Sequence, residues 1–270
     1  MLTSLLNDDY FEFRPHCPLC RGSIRLLWAQ SNFYECLSCG LRFRNPPPSR
    51  LELAALYGQS WLRPNEHPDE TGSTGHRLAK TYAHRLAASL GAPDFRGMKL
   101  LEIGAGRGAL MKALAEYGAD VCAVEPFGYR ELRAEGLIAY RCFEDLPENV
   151  QFDGVISMEV VEHMGAPWED CARVQQLLKD SGWFFISTPN PGGLNAQLSG
   201  VNWREARKQA HLMFFGDHSM RLLLNRCGFS AVRRLHWFVQ YGKSPIPALA
   251  QYGLQLLRID GELRFLARRA

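Results

Sequence analysis

The chain reads as an α/β protein, a doubly wound parallel sheet with a small cysteine-rich head in front of it. Three observations predict this. From residue 98 onward, strand-like apolar runs alternate with amphipathic helical stretches. A glycine-rich turn, GAGRGA at 104–109, separates the first of these strands from the helix after it, where such sheets open their ligand crevice. Ahead of the alternation, Cys17, Cys20, Cys36 and Cys39 form two C-x2-C pairs with fifteen residues between them.

Each pair, CPLC and CLSC, can form a tight knuckle that aims two sulfurs at one ion, and two knuckles close a tetrahedron. In a reducing compartment this spacing predicts a four-thiolate zinc site rather than paired disulfides or unliganded thiols. Arg14, Arg21, Arg25 and Arg42 stand near enough in sequence to offset the anionic cluster. A closed four-cysteine site has no open position for catalysis, so the expected role is a structural staple for a head too short to build its own core. Cys122, Cys142, Cys171 and Cys227 are scattered singly and read as small buried hydrophobes. RFRNPPPSR at 42–50 predicts a stiff connector, because three successive prolines cannot continue a strand or a helix. LELAALY then suggests a short helix, residues 58–75 a loop, and Leu78, Tyr82, Leu86 and Leu90 the buried stripe of a helix over 76–90. The expected organisation is a head at 1–48, a helical connector at 49–95 and the main domain at 96–270.

In that domain MKLLEIG predicts the first strand. Leu110, Ala113, Leu114 and Tyr117 then mark one helical face that Gly118 ends. ADVCAVEP gives a second strand with a short helix at 129–135 after it, and IAYRC a third. FDGVISMEVV gives the fourth, followed by a helix carrying Trp168, Cys171, Val174 and Leu178. SGWFFISTPN is the fifth strand. Met220, Leu223, Leu224 and Cys227 mark another helix stopped by Gly228, and FSAVRRLHWFV and ELRFLARR are the last two strands. The composition, 46% hydrophobic and 22% charged, is ordinary for a globular chain. A net charge of +3 is too small to argue for nucleic acid by itself. No apolar run approaches the ~18 residues of a membrane span. The opening MLTSLLNDDYFEF lacks the basic n-region of a signal peptide, so a cytoplasmic protein is expected.

The glycine turn satisfies G-x-G-x-x-A, the dinucleotide fingerprint, and its neighbours help decide the ligand. Glu102 lies two residues before Gly104. A carboxylate there repels a pyrophosphate but helps hold the sulfonium and ammonium charges of S-adenosylmethionine. Glu125, at the end of the second strand, can accept from ribose hydroxyls of either cofactor. The charge at Glu102 therefore favours S-adenosylmethionine.

Over residues 76–235 the chain resembles the class I S-adenosylmethionine-dependent methyltransferases. LEIGAGRGAL, AVEP, FEDLP, FDGVISMEVVEHM, LKDSGWFFISTPN and HLMFFGDHSMRLLLNRCGF are similar to successive motifs of that family. The head, CPLC…YECLSCGLRFRNPPPSRLELAALYG, resembles a zinc ribbon fused to methyltransferases of sugar, polysaccharide and natural-product pathways. The resemblance implies a Rossmann-like, mostly parallel seven-stranded sheet with an antiparallel hairpin of the last two strands at its edge. It places Glu102, Gly104, Ala105, Gly106 and Gly108 around the methionine moiety, Glu125 on the ribose, Phe143 along adenine, and Met158 on the floor near the sulfur. Many relatives carry an acidic residue where this chain has Cys142, so Glu144 substitutes for it or adenine is held by packing and backbone contacts.

Methyl transfer is an in-line displacement that needs an aligned nucleophile, a dry site and removal of a proton. His163 closes SMEVVEHM and His211 stands in AHLMFFGDH, after a loop over 191–215 expected to fold across the acceptor. Each reads as a general base, or as a histidine holding the neighbouring loop. Glu162 reads as a solvated or helix-terminal charge, and Asp217 with Ser219 as the N-cap of a helix at 219–227. Trp203, Phe214, Phe215, Trp237 and Tyr241 can stack on a sugar or flat ring, or fill core. The position after the fourth strand reads SMEV and not an N-P-P-Y-like turn, and no Pro-Cys or Thr-Cys pair occurs, which argues against amino methylation of DNA or glutamine and against cytosine C5 chemistry. The expected reaction is O-methylation of a sugar or other small molecule. The alternatives are an RNA methyltransferase whose ribbon and RFRNPPPSR segment touch phosphates, and a non-catalytic binding protein that retains the fold.

Overall fold

A computed structural model of the chain describes residues 12–49, 51–56, 72–237 and 248–270. The expectations for the N-terminal leader, for most of the 58–75 loop, for Tyr241 and for the end of FSAVRRLHWFV lie outside these residues.

The head is a three-stranded antiparallel ribbon, β1 (Ile24–Trp28), β2 (Phe33–Cys36) and β3 (Arg42–Arg44). The connector reading of RFRNPPPSR is corrected at its start: Arg42–Arg44 forms a strand, and the proline run takes over only beyond Asn45. The buried Asn45 amide clasps Arg14, donating to its carbonyl at 2.7 Å and accepting from its N–H at 2.7 Å. A short helix, α1, covers 51–56 and buries Leu53. α2 (Gly72–Leu90) begins earlier than the 76–90 expected, so the end of the expected loop is helical.

The main sheet contains β4 (Lys99–Ile103), β5 (Asp120–Val124), β6 (Ala139–Tyr140), β7 (Phe152–Met158), β8 (Leu178–Pro189), β10 (Phe229–Arg234) and β11 (Glu262–Arg269). Its order is β10-β11-β8-β7-β4-β5-β6, a seven-stranded sheet. The β8-β7-β4-β5-β6 stretch is parallel, whereas β11 runs antiparallel to both β8 and β10. This is the expected antiparallel edge. Helices α3 (Ala109–Glu116), α4 (Tyr129–Ala134), α5 (Pro167–Leu177) and α8 (Asp217–Arg226) connect strands, while α6 (Leu194–Ser199) and α7 (Arg204–Arg207) lie within the 191–215 segment. α9 (Ala248–Leu256), which the sequence reading passed over, separates β10 from β11. Among the described residues no helix is long and apolar enough to cross a membrane.

Strand side chains alternate between faces, so a sheet covered on both sides needs apolar residues in both registers. Leu101, Val155, Phe184 and Phe265 face one core with α5 and α8, and Leu100, Ile156, Phe185 and Leu266 face the other with α2 and α3. The first core continues without a break into the ribbon through Leu19, Leu41 and Phe43. A separate small cluster joins ribbon residue Phe33 to Ala196, Trp203, Ala206 and Phe214 of the 191–215 segment. The junction is also a β-sheet: β9 (Met213–Phe214) pairs antiparallel with β3, Arg42 opposite Phe214 and Phe43 opposite Met213, which gives the ribbon a fourth strand.

Candidate active site

Gly104, Gly106 and Gly108 follow β4 with φ of 69°, 53° and 75°, the left-handed region that side chains disfavour. At Gly104 a Cβ would also lie 2.5 Å from Val160 Cγ2, so the turn passes directly against the chain leaving β7. Glu102 points into the protein from β4 and is buried. Its Oε2 has no hydrogen-bond partner among the described residues, and burial, followed by the Glu125 charge, pushes the carboxyl up to about 8. Glu125 accepts from the Gly106 N–H at 3.0 Å, the Phe127 N–H at 3.0 Å and the Gly128 N–H at 3.3 Å, which fixes its carboxylate beside the turn. Ala105 is buried, Met158 at the end of β7 is half-buried, and Phe143 is packed into the first core. Cys142 is half-buried beside the exposed Glu144. A buried carboxylate oxygen with no hydrogen-bond partner among the described residues is a poor seat for a pyrophosphate and a suitable one for a cationic ligand.

The other wall is assembled from separate segments. After β7 the chain makes a 3-10 turn, Val161–His163. His163 Nδ1 lies 3.0 Å from the Ala210 carbonyl oxygen, which can only accept, so Nδ1 carries the proton and Nε2 is the acceptor nitrogen. Burial holds this imidazole down to about 4. The ring of His211 meets that of His163 edge-on, centroids 4.5 Å apart. His211 is 2% exposed and is likewise driven well below its ordinary value, by burial first and His163 second. Its Nδ1 stands 3.7 Å from Glu205 Oε2, and Glu205 is in turn paired with Lys208 at 2.6 Å and Arg204 at 2.7 Å.

Glu162 corrects the reading of a solvated charge. It is fully buried, accepts from Thr188 Oγ1 at 3.0 Å, and burial pushes it up to about 8. Glu159, in the left-handed region at φ 54°, is raised well above the carboxylate range by desolvation and then by Glu162, Glu262 and Glu205, although its side chain still reaches solvent. Side-chain donor atoms of Glu162, His163 and His211 lie within 4.8 Å of one another, close enough to share one cation. Sequence reading missed Glu159 and Glu205, and their only signal was proximity to the two histidines in FDGVISMEVVEHM and WREARKQAH.

Two further expectations change. α8 begins at Asp217 with Gly216 as its cap. The Gly216 N–H donates to Ser219 Oγ at 2.9 Å, while Asp217 pairs with Arg221 at 2.8 Å. Trp203, Phe214, Phe215 and Trp237 are all buried and fill core rather than forming an open stacking surface.

In the ribbon, the four cysteine sulfurs also lie within 4.8 Å of one another. Cys17 and Cys39 are 3.7 Å apart and Cys20 and Cys36 3.3 Å apart. A tetrahedron with zinc–sulfur bonds of about 2.3 Å has edges of about 3.8 Å. The Gly22 N–H points at Cys20 Sγ and the Cys39 N–H at Cys36 Sγ, both at 3.4 Å, an arrangement that suits thiolates. Arg25 and Arg42 pair instead with Glu35, at 2.6 and 3.1 Å.

The sheet order and the glycine turn are those of the α/β methyltransferase fold. Residues 74–234 match the methyltransferase-domain family, and the chain belongs to that family. The ubiquinone biosynthesis O-methyltransferase of Ruegeria sp. is 38% identical over 156 residues, which cover 52% of this chain and 63% of the relative. That of Cereibacter sphaeroides is 36% identical over 139 residues, 47% of this chain and 55% of the relative. The match thus spans less than two thirds of either relative. Among solved structures, a SAM-dependent methyltransferase from Archaeoglobus fulgidus aligns with a TM-score of 0.54 at 19% identity, covering 80% of this chain and 99% of that one. The 1,6-didemethyltoxoflavin-N1-methyltransferase of Burkholderia thailandensis aligns with a TM-score of 0.52 at 19% identity, covering 92% and 99%. Both likenesses show the fold.

Proposed function

We propose that the protein methylates a hydroxyl oxygen of a sugar or other small molecule in a biosynthetic pathway. The observation that carries this reading is the His163 imidazole, held neutral by burial with its Nδ1 3.0 Å from the Ala210 carbonyl oxygen, on the turn that touches the glycine loop through Val160. Glu102, Ala105 and the glycines at 104, 106 and 108 would hold the methionine part of S-adenosylmethionine, Glu125 its ribose hydroxyls, Phe143 would back the adenine end from the core, and Met158 would floor the sulfur. The bound cofactor supplies a methyl carbon activated by its sulfonium. His163 Nε2 takes the acceptor's proton as general base, His211 braces the ring, and the 191–215 segment encloses the acceptor and excludes water. The four ribbon cysteines hold one structural zinc. Four zinc-binding thiolates and four further cysteines outside any disulfide suit a reducing compartment and hence a cytoplasmic enzyme.

The names of the relatives support oxygen as the accepting atom. Against RNA, Arg42 and Arg44, two of the arginines of RFRNPPPSR, are turned inward onto backbone carbonyls. The test is transfer of labelled methyl from S-adenosylmethionine into a size-fractionated extract. Label is expected on hydroxylated small molecules or glycans and is lost with His163→Asn. Label confined to RNA would overturn the acceptor class.

A further inference from the structure

Arg44 belongs to the ribbon, yet most of its bonds are made elsewhere. Its Nε donates to the His211 carbonyl at 2.9 Å, and its Nη2 to those of Ala206 at 3.1 Å and Lys208 at 3.0 Å. Nη1 donates to Ser31 O within the ribbon at 2.7 Å, and the guanidinium lies 4.6 Å from the Phe33 ring centroid. The Arg44 backbone N–H also donates to Leu212 O at 2.8 Å. Among the described residues no carboxylate pairs with this cation. A planar fork of five donors can bind several carbonyls at once in fixed geometry, which an ammonium cannot. The segment it grips is the one whose Ala210 carbonyl sets the His163 tautomer and whose His211 ring lies against His163. A second strap runs from the catalytic side, the Leu212 N–H donating to Glu162 O at 2.7 Å. The 206–212 segment is thus held between the ribbon and the turn that carries His163.

We propose that Arg44 is a positioning residue for methyl transfer: by gripping the 206, 208 and 211 carbonyls it fixes the Ala210 carbonyl and, through it, the Nδ1–H tautomer of His163. The ribbon is then a wall of the acceptor site as well as a staple. The consequence for rate rests on the reading of His163 as the base, but the consequence for the tautomer does not.

The experiment compares wild type, Arg44→Lys and Arg44→Gln, each loaded with zinc and S-adenosylhomocysteine. Imidazole ¹⁵N spectra report the His163 tautomer, and kcat, KM and cofactor affinity are measured in parallel. Arg44→Gln is included because a neutral amide leaves no unpaired charge at the seam should the lysine variant fail to fold. Wild type is expected to show a single Nδ1–H form. Both variants are expected to show a mixture with the Nε2–H form, a kcat lower by about 10- to 100-fold, the scale of a misplaced reacting group, and cofactor affinity within about twofold. Arg42→Lys, on the same strand but bonded to Pro191 O, serves as control and is expected to keep the wild-type tautomer. An unchanged His163 tautomer in a folded Arg44 variant overturns the proposal, as does an equal change in Arg42→Lys. A changed tautomer with unchanged kcat leaves Arg44 setting the His163 tautomer but overturns both its role in methyl transfer and His163 as the base.

Discussion

Glu102 and Glu162 are both buried carboxyls pushed up to about 8 by desolvation, one on each wall of the crevice. They are held differently. Glu102 sits on β4, one strand from Glu125, and the turn between them belongs to the same continuous stretch of chain. Glu162 sits on a turn whose neighbours come from β8, from 205–211 and, through Arg44, from the ribbon. In the proposed reading the carboxylates of the cofactor wall, Glu102 and Glu125, flank one continuous stretch of chain. The acceptor wall is a junction of distant segments, so damage at any of them reaches it.

The largest test of that contrast is at the metal. One zinc per chain is expected by metal analysis. Cys36→Ser should lose it together with a binding energy that for structural zinc is about 10–16 kcal/mol, coupled to folding. The ribbon should melt early, and methyl transfer should fail while S-adenosylhomocysteine still binds in calorimetry. Equal loss of cofactor binding would break the contrast.

Next is His163→Asn, expected to lower kcat by about 10²–10⁴-fold with cofactor affinity unchanged. Burial holds the folded imidazole down to about 4, below the usual 6.5, so a base at this position stays unprotonated as pH falls and is lost only on passing through about 4. Wild-type kcat should therefore hold into mildly acidic buffer and drop below that, a limb missing from the asparagine variant.

On the cofactor wall, Glu125→Ala should weaken S-adenosylmethionine binding by about 1–3 kcal/mol, the scale for charged hydrogen bonds, with the ribbon's metal and the His163 tautomer untouched. Glu102→Gln sharpens the comparison with the smallest effect, and with opposite signs on two readouts. Glu102 keeps its proton in the folded protein up to about 8, whereas the unfolded chain releases it near 4.5. Its contribution to stability is thus present below 4.5 and is lost as pH rises through 8. The glutamine variant should melt higher than wild type above pH 8 yet bind S-adenosylmethionine about 1 kcal/mol more weakly. Weaker melting with tighter binding would remove Glu102 from the cofactor site.

The same contrast explains what could be read from sequence. The parallel strands, the glycine turn, the placement of Glu102 and Glu125 beside it, and the convergence of the cysteine pairs were legible, because each follows from a pattern that spans about two dozen residues at most. Glu162 was read as solvated because SMEVVEHM carries no sign that Thr188 closes over it. Arg44 reads from sequence as part of the stiff proline connector, since nothing within ten residues of it reveals a partner 167 residues away. α9 was overlooked because ALAQYGLQL is only nine residues long and carries Gly253 in its middle, so its periodic signal is weak.

The pairing of β3 with β9 also sets an order of assembly. The ribbon leaves the ribosome ahead of β9, with the edge of β3 bare and Phe33 lacking its stacking partner Phe214, 5.1 Å away in the finished protein. At about 5–20 residues per second, roughly ten to thirty seconds pass before residues 213–214 emerge to cover that edge. An open strand edge is a template for the wrong neighbour, so this interval is when the nascent chain is most exposed to mispairing with another copy. The catalytic domain closes it by supplying the ribbon's last strand.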